Sequence, residues 1–190
     1  MRSSITWTGL WLSLLAAACA SSPDHFYTLN ILPDTERGPL STPTVHVRLS
    51  VTIPALVDRA EMVIGTSKNG IVVLDHERWA VPLSDHVSQT LARDIEKRRS
   101  DILIGDRGFD QGSPPVTMKV DIVRMSAQRG GQARIEARWR IVDAGAATDE
   151  LDSAVFEAPL GGDDSATVAQ AYSQALSALA EKLAGDVRRR

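Results

Sequence analysis

Four histidines (His25, His46, His76 and His86) and one cysteine, Cys19, are the side chains best suited to proton transfer, metal binding or nucleophilic attack near neutral pH. No histidine has another His, Cys or Glu at the spacing a zinc site uses, so no metal centre is expected. His76 sits in Asp75-His76-Glu77-Arg78, a run of charge before Trp79 that predicts a solvated turn. A hydrolytic dyad needs an activated nucleophile, and the chain has neither a Gly-x-Ser-x-Gly elbow nor a phosphate-binding glycine loop. Gly161-Gly162-Asp163-Asp164 precedes a predicted helix, where backbone amides could hold an anion. Two aspartates would repel that anion, and the segment reads instead as a turn and helix cap. Neither enzymatic chemistry nor a cofactor is expected.

Cys19 has a different prospect, because of what precedes it. Arg2 supplies a positive start, and Leu10 to Ala18 is apolar apart from Ser13. The stretch is well short of the roughly 20 apolar residues that span a bilayer. It meets Ala16-Ala17-Ala18 directly before the cysteine, a junction resembling the bacterial lipobox, at which the thiol is diacylated, the leader cut and the new amine acylated with a palmitate-type chain. Ala16-x-Ala18 is also an ordinary cleavage site, which would release a soluble protein beginning with cysteine. The lipobox usually has Leu where this chain has Ala16, with Leu15 one place earlier. A lone cysteine cannot form an internal disulfide, and lipidation would remove a free thiol. Two or more acyl chains would hold the protein stably at a membrane. Ala20, in place of the Asp that retains enterobacterial lipoproteins in the inner membrane, favours the outer one. The expected division is a signal peptide at 1–18, a lipidated tether at 19–24 and one domain at 25–187.

About 170 residues after the leader suit a single domain with one sizeable core. The net charge of −3 offers no basic field for nucleic acid. Arg188-Arg189-Arg190 is a basic tail end, and Pro33 to Pro43, with three prolines and a glycine, predicts a surface loop. Phe26 to Leu29 predicts a short strand. Val45, Val47, Leu49 and Val51 alternate with His46, Arg48 and Ser50, the period of a strand with one buried face. Ile53-Pro54 ends it, and Ala55 to Asp58 makes a turn. Asn69-Gly70 marks a hairpin between Glu61–Thr66 and Ile71–Leu74. Leu83, Val87, Leu91 and Ile95 then draw one face of a helix begun at Pro82. Ile102 to Ile104 predicts a buried strand. Val116 to Ile122 and Ile135 to Ile141 alternate on either side of Arg129-Gly130-Gly131-Gln132, a second hairpin, with Ala154 to Leu160 as a third neighbour. A closing helix starts at Asp164 or Ser165, carries its stripe from Val168 to Leu183, and is expected to stop at Gly185. The sum is an α/β layered domain: a mixed, largely antiparallel sheet with two long amphipathic helices.

Three segments, in order, resemble the PqiC/YmbA family of ABC-transport auxiliary lipoproteins. The first is Phe26-Tyr27-Thr28-Leu29, soon after the cysteine. The second runs from Val51 through Pro54, Leu56, Asp58 and Arg59 to Met62-Val63. The third is Arg78-Trp79-Ala80-Val81-Pro82-Leu83, followed by the helix; the family often has a polar residue where this chain has Val81. The resemblance implies a three-layer α/β domain that can assemble into rings. It also implies a lipid anchor on the periplasmic face of the outer membrane, with an MCE-domain protein and its ABC permease and ATPase as partners. Such systems move lipids across the periplasm and support membrane integrity. Arg78, Trp79, Pro82, Leu83, Asp58 and Arg59 are the interface or family-motif candidates this yields. Trp79 fits either a structural anchor beneath the helix or a partner contact, while Trp139 alternates with core positions. The competing expectation is a tethered module that carries a hydrophobic ligand itself.

Overall fold

The computed structural model describes residues 22–32, 45–66, 69–105, 116–143 and 151–187. Cys19 and its leader, the predicted loop from Pro33 to Pro43 and the Arg188-Arg189-Arg190 tail lie outside the described residues.

The strands are β1 (His25–Tyr27), β2 (Val45–Thr52), β3 (Glu61–Gly65), β4 (Ile71–Trp79), β5 (Ile102–Ile104), β6 (Val116–Ala127), β7 (Gln132–Val142) and β8 (Leu151–Pro159). The helices are α1 (Leu83–Arg98) and α2 (Ser165–Asp186), and the architecture is α/β. The strands divide into two sheets where the alternation alone predicts one. One is three-stranded in the order β1-β4-β3, and the other five-stranded in the order β5-β2-β6-β7-β8. β2 runs parallel to both β5 and β6, while β6, β7 and β8 are antiparallel neighbours. A parallel bridge between Gly65 and Gln128 joins the end of β3 to the end of β6.

Period-two burial explains the larger sheet. Val116, Met118, Val120 and Ile122 on β6, and Ala133, Ile135, Ala137 and Trp139 on β7, face the core. Leu83, Val87, Leu91 and Ile95 of α1 are all at most 1% exposed and join the same core, with α1 against β2 and β5, while Leu176, Leu179 and Leu183 belong to α2, which lies against β7 and β8. Burying one such side chain contributes about 1.5–3 kcal/mol. Trp139 is core and donates its indole N–H to Asp186 Oδ2 at 3.0 Å.

Local chemistry sets the ends. Asp164 caps α2, its Oδ1 accepting from the Thr167 amide at 2.8 Å, as the turn-and-cap expectation requires. Gly130 takes φ 65° in the β6–β7 hairpin, and Asn69 takes φ 56° before Gly70 in the β3–β4 hairpin. Two expectations are corrected. Asp75-His76-Glu77-Arg78 is not a turn but part of β4, paired with β1 at Glu77 and Arg78. Gly185 does not stop α2, which continues to Asp186.

Candidate functional site

Two motifs separated in sequence meet at the start of α1. After β2, the Val57 and Asp58 amides both donate to the Pro54 carbonyl, at 3.0 and 3.2 Å, and the buried Val57 pins this turn to the core. The Trp79 amide donates to the Ala60 carbonyl at 2.7 Å, which fastens the turn to the end of β4. Pro82 occupies the N-cap of α1 without a side-chain cap bond of its own. Asp58 supplies the acceptor from outside the helix, its Oδ1 taking the Ser84 amide at 3.2 Å. A carboxylate there also meets the positive end of the helix dipole.

Asp58, Arg59, Ala60, Trp79, Ala80, Val81 and Pro82 line a depression of about 270 Å³. Val81 at 42% and Leu56 at 55% are large apolar side chains left exposed in this part of the fold. Arg59 bonds Glu61 at 3.0 Å, and Arg78 reaches the same carboxylate at 3.3 Å. Arg78 also comes within 4.0 Å of Asp24, which lies 3.1 Å from His76. Alternating charge therefore runs from Asp24 to the depression. Glu61 is held below the usual carboxylate range, first by its backbone amide and then by Arg59. Such exposed pairs contribute little to stability and mainly fix geometry.

The candidates thus separate into two groups. Asp58, Arg59 and Pro82 border the depression, with Arg78 one ion pair behind it. Leu83 and Trp79, the latter also reaching the depression, belong to the core at 1% and 4% exposure. The Trp79 ring packs 6.3 Å from Tyr172 of α2, so it anchors to the far helix as well as setting up the near one.

A second cluster lies outside these motifs. After β1 the chain crosses the helix pair as a strap, and side chains of both helices take its backbone groups. The Leu29 amide donates to His86 Nε2 at 3.1 Å, Asn30 to Ser173 Oγ at 2.9 Å and Leu32 to Asp94 Oδ1 at 2.7 Å. Arg98 donates to the Leu32 carbonyl at 2.7 Å and to Ser177 Oγ at 2.6 Å. Burial lowers the His86 pKa, which keeps the ring neutral and able to accept. Burial pushes Asp94 up to about 6, against the opposing pull of the Leu32 amide and Arg98. The signal was present in the sequence: His86, Thr90, Asp94 and Arg98 recur every four residues beside the apolar stripe, and Ser173 and Ser177 repeat that spacing on α2. Among the described residues no group of three or more His, Cys, Asp or Glu could hold a metal ion.

Solved structures share the fold. An uncharacterized protein superposes with a TM-score of 0.71 at 16% identity, over 87% of this chain and 99% of the other. A Xanthomonas campestris protein of the DUF330 family superposes with a TM-score of 0.65 at 17% identity, over 85% and 93%. At these identities the likeness is one of fold. No curated protein matches the sequence. The family described as "ABC-type transport auxiliary lipoprotein component" matches residues 27–184, from the second motif position of β1 to the last turn of α2. With both motif segments and the closing helix inside that match, the chain belongs to the ABC-type transport auxiliary lipoproteins.

Proposed function

We propose that this protein is a non-enzymatic lipoprotein subunit of an MCE-type ABC transport system. It is held by lipid on Cys19 to the periplasmic face of the outer membrane, and it docks the MCE-domain protein through the depression at the start of α1. The system moves lipids across the periplasm. The observation that carries the proposal is the convergence of two sequence-distant segments on one surface, where Arg59 and the exposed apolar Val81 line the same depression. Arginine beside apolar side chains over a rigid base is a composition common at protein interfaces. Membership of a family of transport auxiliary components supplies the biological setting. The test is affinity purification of the lipidated full chain from detergent-solubilised membranes. Recovery of the MCE-domain protein with the wild type, and its loss with Arg59→Glu, is expected. Wild-type chain that recovers no MCE protein, even after cross-linking, contradicts the proposal.

One observation favours a second reading, a tethered module that carries its own hydrophobic ligand. A groove of about 410 Å³ runs between the strap and α2, with Phe26, Leu32, Ala166 and Ala169 among its walls and no charged side chain. Near-equimolar lipid extracted from the purified chain, and lost in Ala169→Glu, would support it.

A further inference from the structure

β1 runs parallel to β4, with His25 opposite Glu77 and Phe26 opposite Arg78. The chain ahead of β1 therefore heads toward the start of β4, and Asp24 keeps the register, its Oδ1 lying 3.1 Å from His76 Nδ1. The stretch from Asp24 back to Cys19 is as many residues long as the stretch from His76 back to Ile71. At about 3.3 Å per residue, a tether extended in that direction brings Cys19 level with Ile71, beside the turn between β3 and β4.

The strand end at that turn is apolar and uncovered. Ile71 at 49% and Val72 at 43% are the one adjacent pair among the exposed large apolar side chains of the described residues. Neighbouring residues of a strand point to opposite faces, so the fold covers neither face of the hairpin at its end. Further along it does: Met62, Val63 and Ile64 on β3 are buried, and Val73 and Leu74 pack on the core. β1 joins β4 only from Glu77 onward, so among the described residues no strand lies on the outer side of Ile71 and Val72. The Thr66 amide donates to the Gly70 carbonyl at 2.8 Å, which ties the turn's own backbone together.

We propose that the end of this hairpin, Ile71 and Val72, enters the headgroup region of the bilayer as a second membrane contact beside the acylated Cys19, a proposal that rests on the lipid anchor of the proposed function. Two half-exposed side chains bind a membrane feebly on their own. The anchor holds them at the surface, so their insertion is intramolecular and a weak attraction suffices. The attraction is apolar, and its depth is limited because Asp75 and His76, exposed on the same strand, remain in water. β4 then stands away from the membrane, and its far end at Trp79 lies about 26 Å along the strand from Ile71. The depression beside Trp79 is thereby held clear of the bilayer and open to a partner arriving through the periplasm.

The test reconstitutes the purified lipidated chain in phosphatidylcholine vesicles, with an environment-sensitive fluorophore on Val72→Cys; acylation leaves Cys19 no thiol to label. The emission is expected to shift to the blue. It should fall at least two-fold when the lipid carries a nitroxide near the top of the acyl chain, whatever the salt. The same fluorophore on Val81→Cys should stay unquenched. Because a fluorophore at position 72 could itself favour the bilayer, a second pair of chains carries it on Thr66→Cys, with and without Ile71→Asp and Val72→Asp. The two aspartates should abolish quenching while the chain stays in the membrane with an unchanged circular dichroism spectrum. Acylated chain in which position 72 is quenched no more than position 81 overturns this contact and leaves the anchor standing, as does quenching at position 66 that survives the aspartates or disappears in salt. Wild type whose Cys19 mass spectrometry shows unacylated overturns both. A blue shift that nitroxide lipid does not quench, with a dimer cross-linked through position 72, overturns the contact in favour of a second copy of the chain.

Discussion

Single side chains in this protein mostly work by completing the backbone hydrogen bonding of a segment other than their own. Asp94 takes the Leu32 amide and Asp58 takes the Ser84 amide. The first has a pH signature. Burial raises Asp94 from 3.8 to about 6, so the folded chain holds that proton more tightly than the unfolded one. The linked stabilisation is fully present below pH 3.8 and is lost as pH rises through about 6. His86 acts in the opposite sense. Burial lowers its pKa from 6.5, so its contribution is present above pH 6.5 and is lost as pH falls. Asp94→Asn keeps an acceptor for Leu32 without a buried charge. Denaturant unfolding should show it more stable than wild type above pH 6, by about 1 kcal/mol, with the gain fading toward pH 4. A variant less stable than wild type at pH 8 would show that attraction to Arg98 outweighs the cost of burial. Asp58→Ala should cost about 1 kcal/mol through the lost remote cap. Calorimetry of that variant beside Asp58→Asn, which retains an acceptor, separates hydrogen bonding from charge.

Among the elements, those whose burial follows a simple period were legible in the sequence. Leu83, Val87, Leu91 and Ile95 fixed the inner face of α1, and the alternations of β6 and β7 fixed theirs. Leu91→Ala is accordingly expected to destabilise by about 2–5 kcal/mol, readable as a lowered urea midpoint with an unchanged slope. Alternation tells which face of a strand is inward and not which strand lies beside it, so the division into two sheets was not legible. Asp75 to Arg78 reads as a turn because four polar residues are rarely given to a sheet. They form a strand because β4 is the middle one of three, and Asp24, His25 and Glu61 answer its charges. Of the site, the motifs marked the right segments but not the distinct tasks within them. That Trp79 packs on Tyr172 of α2 depends on a residue more than 90 positions further on, and no local pattern encodes it. The strap was missed for the reverse reason: its polar stripe is visible, but polar stripes on helices ordinarily face solvent.

On the proposed function, the tether and the domain act as one device. Six residues from Cys19 to Asp24 reach at most about 20 Å when extended, and the chain is then fastened in turn to β4, α1 and α2. Force or orientation imposed at the membrane would therefore be delivered directly to the helix pair and the depression beside it. Cys19→Ala should shift the chain from the membrane to the soluble fraction, and intact mass spectrometry should show the loss of its acyl groups. An unmodified, soluble wild type would undo the anchor. The most direct test of the account is a photo-cross-linking residue placed at Val81, in the full chain and in intact cells. Capture of the MCE-domain protein from position 81, and not from the exposed Glu181 on α2, is the predicted result. Equal capture from both positions, or capture from neither while the lipidated chain is present at the membrane, would contradict it.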